Sequence, residues 1–141
     1  MTAIDTTVSE SRAITAPRWP VRLFAATAAA MALMVLVQAT TAGQLLSGNA
    51  MGLTLHREAV FLIIVWVTLA QLVAAVLVIR PGRGSARVLV PAVLNLVAVT
   101  VQIGAGFANQ LALHVPLGVS ILALNLLVAV MASTLARRRA V

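Results

Sequence analysis

Four long apolar runs alternate with short polar breaks along the chain, at about residues 23–42, 59–79, 88–108 and 115–136, and none contains a charged side chain. A helix rises 1.5 Å per residue, so roughly twenty residues cross about 30 Å of hydrocarbon. Each run is long enough to do so. Runs of this length predict helices, because a lone segment in lipid must satisfy its own backbone hydrogen bonds. The breaks carry turn residues. Gly43, Gly48, Asn49 and Gly52 predict a loop after the first run, and Arg80-Pro81-Gly82-Arg83-Gly84 a sharp turn after the second. Asn109 and Gln110 open a very short turn after the third. Pro91 and Pro116 fall in the predicted first turns of the third and fourth helices, where a missing N–H costs nothing. Short connections make successive helices antiparallel neighbours, so the pattern predicts an all-α, four-transmembrane-helix up-down bundle over residues 18–136. Residues 1–17, with Asp5, Glu10 and Pro17, read as a flexible cytoplasmic tail. Residues 137–141 read as a basic tail, and Arg18, Trp19 and Arg22 as an interfacial anchor.

Composition agrees with the pattern. Of 141 residues, 62% are hydrophobic and 9% charged, whereas about a quarter of a soluble domain is charged. The net charge is +7. The basic residues are all Arg, in clusters between apolar runs without interleaved aromatics, which points away from nucleic acid. Nine of the ten fall on one side of the expected membrane: Arg12, Arg18 and Arg22; Arg80, Arg83 and Arg87; Arg137, Arg138 and Arg139. Arg57 alone falls on the other. The positive-inside rule then predicts both termini in the cytoplasm and a multi-pass plasma-membrane protein. The first run is longer than a signal-peptide core and follows an acidic tail, so it reads as a retained span. With no cysteine, thiolate clusters, covalent haem attachment and a Cys nucleophile are excluded.

The chemistry narrows to two histidines. His56 and His114 are the only ones, and each follows a Leu at the outer end of an even-numbered helix. Helices two and four run the same way, so both rings should lie at one membrane depth, and diagonal helices could present them to a single iron. Gly118, one turn beyond His114, would leave room for a flat macrocycle. So would the small residues Gly104, Ala105 and Gly106, with Gly43 at the end of the first helix. Arg57 could pair with a propionate, and Gln102 and Gln38 could reach a cofactor edge, a quinone carbonyl or a His ligand. Val60, Ile63, Leu117 and Ile121 would line the ring. Against this, interfacial histidines can simply bond to loop or lipid groups, and small residues can serve helix packing. Gln71 and Asn95 should meet across the second and third helices, with Asn125 shallower. Trp66 reads as a packing residue. Glu58 is a lone outer acid, a poor basis for hydrolysis. No charge lies inside a span, which weighs against ion-coupled transport.

Leu55-His56-Arg57-Glu58 and Leu113-His114-Val115-Pro116-Leu117-Gly118, with Gln38-Ala39-Thr40-Thr41-Ala42-Gly43, resemble one four-helix half of the heme A synthase family. The likeness extends over roughly residues 23–136. It implies an outward-facing haem site with His56 and His114 as the iron-binding pair. The chain departs from the family in supplying one half only, and Leu53 stands where the family's functional acid lies. With these departures a small stand-alone haem b protein of similar architecture is expected rather than heme A synthesis, and because two His ligands would leave no open position on the iron, electron transfer rather than independent catalysis is its expected role. Its expected partners are the lipid bilayer, a membrane redox partner or quinone, and a second copy of itself. The alternatives are a cofactor-free structural or assembly subunit and a small transporter or quinone-binding module.

Overall fold

The computed structural model describes residues 16–138. Most of the predicted amino-terminal tail and residues 139–141 of the basic tail lie outside that range. Four helices long and apolar enough to cross a membrane make up the described chain: α1 (Trp19–Leu46), α2 (Ala50–Ile79), α3 (Leu89–Phe107, entered through a single 3-10 turn at Ala86–Val88) and α4 (Leu111–Arg138). The helix α1 packs against α2 and α4, and α3 packs against the same two, so α2 and α4 face each other diagonally.

The helices extend past the apolar runs. Of the loop expected after the first run, only the stretch around Ser47, Gly48 and Asn49 is non-helical, and Gly43 and Gly52 both lie inside helices. Gly48 takes φ +85° there, and the Asn49 side chain accepts from Met51 N–H to start α2. His56, Arg57 and Glu58 therefore sit on the second turn and beyond of α2, not ahead of it. The helix α4 begins at Leu111, which moves Pro116 from the first turn to the second. Polar residues at the membrane interface continue a helix readily, since water satisfies what the side chains leave, so apolar content underestimates helix length.

One turn of α2, Val60–Ile64, is a π-helix, with Val65 N–H bonded to the Val60 carbonyl. It inserts one extra residue between His56 and the inner half of the helix.

The interior has three layers. Nearest the start of α1 and the end of α4, alanines pack against Val21, Phe24, Val78 and Val128. Towards the histidines, Met31, Ile64, Val99 and Ile121 form a second apolar cluster. Between them Gln71, Asn95 and Asn125 close a ring of side-chain amides. Gln71 Nε2 donates to Asn125 Oδ1 (3.0 Å), Asn125 Nδ2 to Asn95 Oδ1 (2.7 Å) and Asn95 Nδ2 to Gln71 Oε1 (2.8 Å). Each residue is at most 1% exposed. The expected Gln71–Asn95 pair forms. Asn125 joins it at the same level, because α4 starts earlier than its apolar run.

Candidate functional site

The two histidines meet. His56 on α2 and His114 on α4 lie with ring centroids 6.1 Å apart and planes inclined by 54°. His56 is the seventh residue of α2 and His114 the fourth of α4, on the diagonal pair that the packing sets face to face. The π-turn below His56 matters here. An extra residue turns everything above it by about 100° relative to the inner half of the helix, so His56 and Ile64 can both face the bundle axis.

Each ring is held from behind by a backbone carbonyl one helix away. His56 Nδ1 lies 3.1 Å from the Gln38 carbonyl and 3.2 Å from Thr41 Oγ1. His114 Nδ1 lies 2.9 Å from the Gln102 carbonyl. A carbonyl can only accept, so each Nδ1 carries the proton and each Nε2 keeps its lone pair. This is the tautomer a metal-binding imidazole uses, with the outer carbonyl fixing the ring's orientation. Thr41 in turn donates to the Gln38 carbonyl (3.0 Å), leaving its oxygen free to share the His56 proton. Gln38 also grips His56 a second time, its Nε2 donating to the His56 carbonyl (3.1 Å).

Both rings border a cavity of about 70 Å³ that opens onto Gln38, Gln102, Gly118 and the apolar side chains of the second cluster. The sequence placed Gln102 and Gly118 at this site, and the structure brings both to the cavity. The role foreseen for the glutamines changes: backbone carbonyls, not side-chain amides, hold the rings. The Gln102 Oε1 atom is buried beside the cavity without a hydrogen-bond partner among the described residues. A Cβ on Gly118 would stand 3.0 Å from Gln102 Nε2, and one on Gly106 would stand 2.9 Å from His114 Cε1. These two glycines make room at the site. Gly104 and Gly43 do not, for nothing lies within 4 Å of where their Cβ would be.

Other expectations shift. Val60 and Ile121 line the cavity as expected, but Ile64 takes the place given to Ile63, and Leu117 packs behind the lining. The π-turn moves the inward face by one residue. Arg57 does not line the cavity. Its guanidinium lies 6.0 Å from the centroid of the Phe107 ring, which also meets Phe61. Trp66, expected to pack, is 66% exposed on the outside of the bundle.

Among the described residues, no three His, Cys, Asp or Glu side chains come together. A bare metal ion needs about four protein ligands, whereas the iron of a porphyrin needs only axial ones. Compared with protein-family models, curated proteins and solved structures, the chain gives no match.

Proposed function

We propose that this chain is a haem b-binding membrane protein with His56 and His114 as the two axial ligands, serving electron transfer. The observation that carries the reading is the spacing of the rings. Iron–imidazole bonds of about 2 Å, plus a little over 1 Å from each nitrogen to its ring centre, separate axial imidazole centroids by about 6 Å. The observed 6.1 Å matches. The carbonyl-held tautomers and the space left at Gly106 and Gly118 support the same reading. So does the limited resemblance to one half of the heme A synthase family.

Haem supplies a one-electron couple when bound. The chain's part is to ligate, orient and exclude water. With His56 and His114 both holding it, the iron would keep no open position, which would suit electron transfer better than oxygen chemistry. The apolar cluster of Met31, Ile64, Val99 and Ile121 keeps the site in a low-dielectric setting, and Arg57 stands at the same end of the bundle to meet a propionate. With the arginine-rich end in the cytoplasm, this site lies near the outer face of the plasma membrane, open to a quinone or a membrane redox partner.

A reduced-minus-oxidised spectrum of the detergent-purified full chain tests the reading. A sharp b-type α-band, lost in both His56→Ala and His114→Ala while helix content persists, is the expected result. A featureless spectrum after haem-supplemented expression would overturn it. One observation favours a second reading, a cofactor-free structural subunit. The 70 Å³ cavity is far smaller than a macrocycle, so haem binding requires the lining side chains to move aside, whereas a helix-packing subunit requires nothing further.

A further inference from the structure

A second concavity lies at the other end of the molecule. It is an open groove of about 520 Å³ between α1 and α4, lined by Arg22, Ala25, Ala26, Ala29, Ser133, Ala136 and Arg137. The α1 residues fall at helical spacings of three, four and seven from Arg22, and the α4 residues at three and four from Ser133, so each helix contributes one continuous face. The seam behind is closed by Ala28, Ala32 and Ala132, all buried. Arg22 sits in the first turn of α1 and Arg137 in the last turn of α4, which brings two guanidinium groups to one end of the groove. From there the α1 floor runs seven residues inward, about 10 Å of helix, and presents only methyl groups.

We propose that this groove binds an anionic phospholipid, its phosphate between Arg22 and Arg137 and the upper part of one acyl chain along Ala25, Ala26 and Ala29. Charge complementarity selects this occupant. Among the described residues the only acid is Glu58, at the opposite end of the bundle, so no described carboxylate neutralises the two arginines. A neutral transmembrane helix would fill the alanine floor but would leave both cations facing apolar side chains. A free phosphate would satisfy the cations and leave the floor bare. A phospholipid with net negative charge matches both halves at the depth where each lies. Ser133 adds a hydroxyl on the groove wall.

Native mass spectrometry of the full chain, released from mild detergent, tests the assignment with three probes: phosphatidylglycerol, phosphatidylcholine and glycerol phosphate. The expected result is one retained phosphatidylglycerol per chain, with neither other probe retained at equal concentration. Arg22→Gln with Arg137→Gln should weaken retention by roughly tenfold or more, as the loss of two cations at an anionic lipid implies. Ala26→Leu with Ala29→Leu should weaken it too, while keeping every charge. Both alanines are exposed, so this pair leaves the core intact. Arg18→Gln with Arg138→Gln removes two cations outside the groove and should change little. Equal retention of the two lipids would overturn the proposal. So would an Arg18/Arg138 effect as large as that at Arg22/Arg137, which marks a diffuse basic surface, or indifference to the leucines. Retention of glycerol phosphate would reduce the site to an anion site without a lipid groove. None of these outcomes depends on haem.

Discussion

A single methyl group decides whether the His114 ring can stay where the Gln102 carbonyl holds it. Gly106 leaves that space, and an added Cβ would approach Cε1 to 2.9 Å, which forces the ring off its 2.9 Å hydrogen bond. Outer-shell bonds of this kind are worth roughly 10–100-fold in metal affinity. Gly106→Ala should therefore lower haem retention about that much in a titration of the purified protein, with helix content unchanged. Gly104→Ala, two residues away and facing open space, is the matched control and should bind as the wild type does. Equal behaviour of the two variants would show that ring placement by Gln102 is irrelevant to ligation. At this scale the sequence was partly readable. The histidines, Gln102 and Gly118 carry side-chain chemistry or its absence, and these marks pointed to the site. The bonds that orient the rings end on the main chain of Gln38 and Gln102, and any residue type there would offer the same carbonyl. Gly106 was named among the small residues, but nothing in its letter separates it from Gly104, whose Cβ would meet nothing.

The helix α2 carries a π-turn in the middle of a membrane-length helix. A π-turn gives up regular hydrogen bonding and is kept where a side chain must be re-aimed. Here its effect is to put His56 and Ile64 on the same inward face although eight residues separate them. Deleting Leu62, which is exposed on the outside of that turn, should let Val60–Ile64 relax to an α-helix. The outer segment would then rotate by about 100°, carrying His56 away from His114 and from the Gln38 carbonyl. The expected outcome is loss of the b-type spectrum with helix content preserved. Leu62→Ala keeps the residue count and should retain the spectrum. If the deletion variant still bound haem with both histidines, the π-turn would have no part in aiming His56. The apolar runs announced four helices because twenty uncharged residues have few other uses. They could not announce this turn, since Val60-Phe61-Leu62-Ile63-Ile64 is as good a stretch of ordinary apolar helix as its neighbours. Helix ends were equally hidden, because Met51 to Glu58 mixes polar and apolar residues that suit a loop or an interfacial helix alike.

At the scale of the whole molecule, two devices fix how the four helices stand. The first is the amide ring. Replacing Asn95 by Leu removes a donor and an acceptor and strands Gln71 Oε1 and one Asn125 bond in a dry interior, a loss of about 1–2 kcal/mol. Replacing all three amides by Leu strands nothing, so thermal unfolding in detergent should show the triple variant less destabilised than the sum of the three single ones. Strict additivity would mean the three amides act separately. The second device is charge. The start of α1, the end of α4 and the Arg80–Arg87 turn lie at one end of the bundle, while the Ser47–Asn49 turn, Arg57 and the histidine pair lie at the other. With nine arginines against one, the rule that cationic loops stay in the cytoplasm predicts that the histidines lie near the outer face. The natural absence of cysteine gives a clean background for checking this. Ser47 and Ser85 are exposed at opposite ends, and each can be changed to Cys alone. In intact cells a membrane-impermeant maleimide should label Ser47→Cys and spare Ser85→Cys until the membrane is permeabilised. The reverse pattern would put the histidine pair at the cytoplasmic face, where a haem between them would meet soluble cytoplasmic partners. Labelling at the outer face instead restricts its partners to those that reach it from outside or along the bilayer.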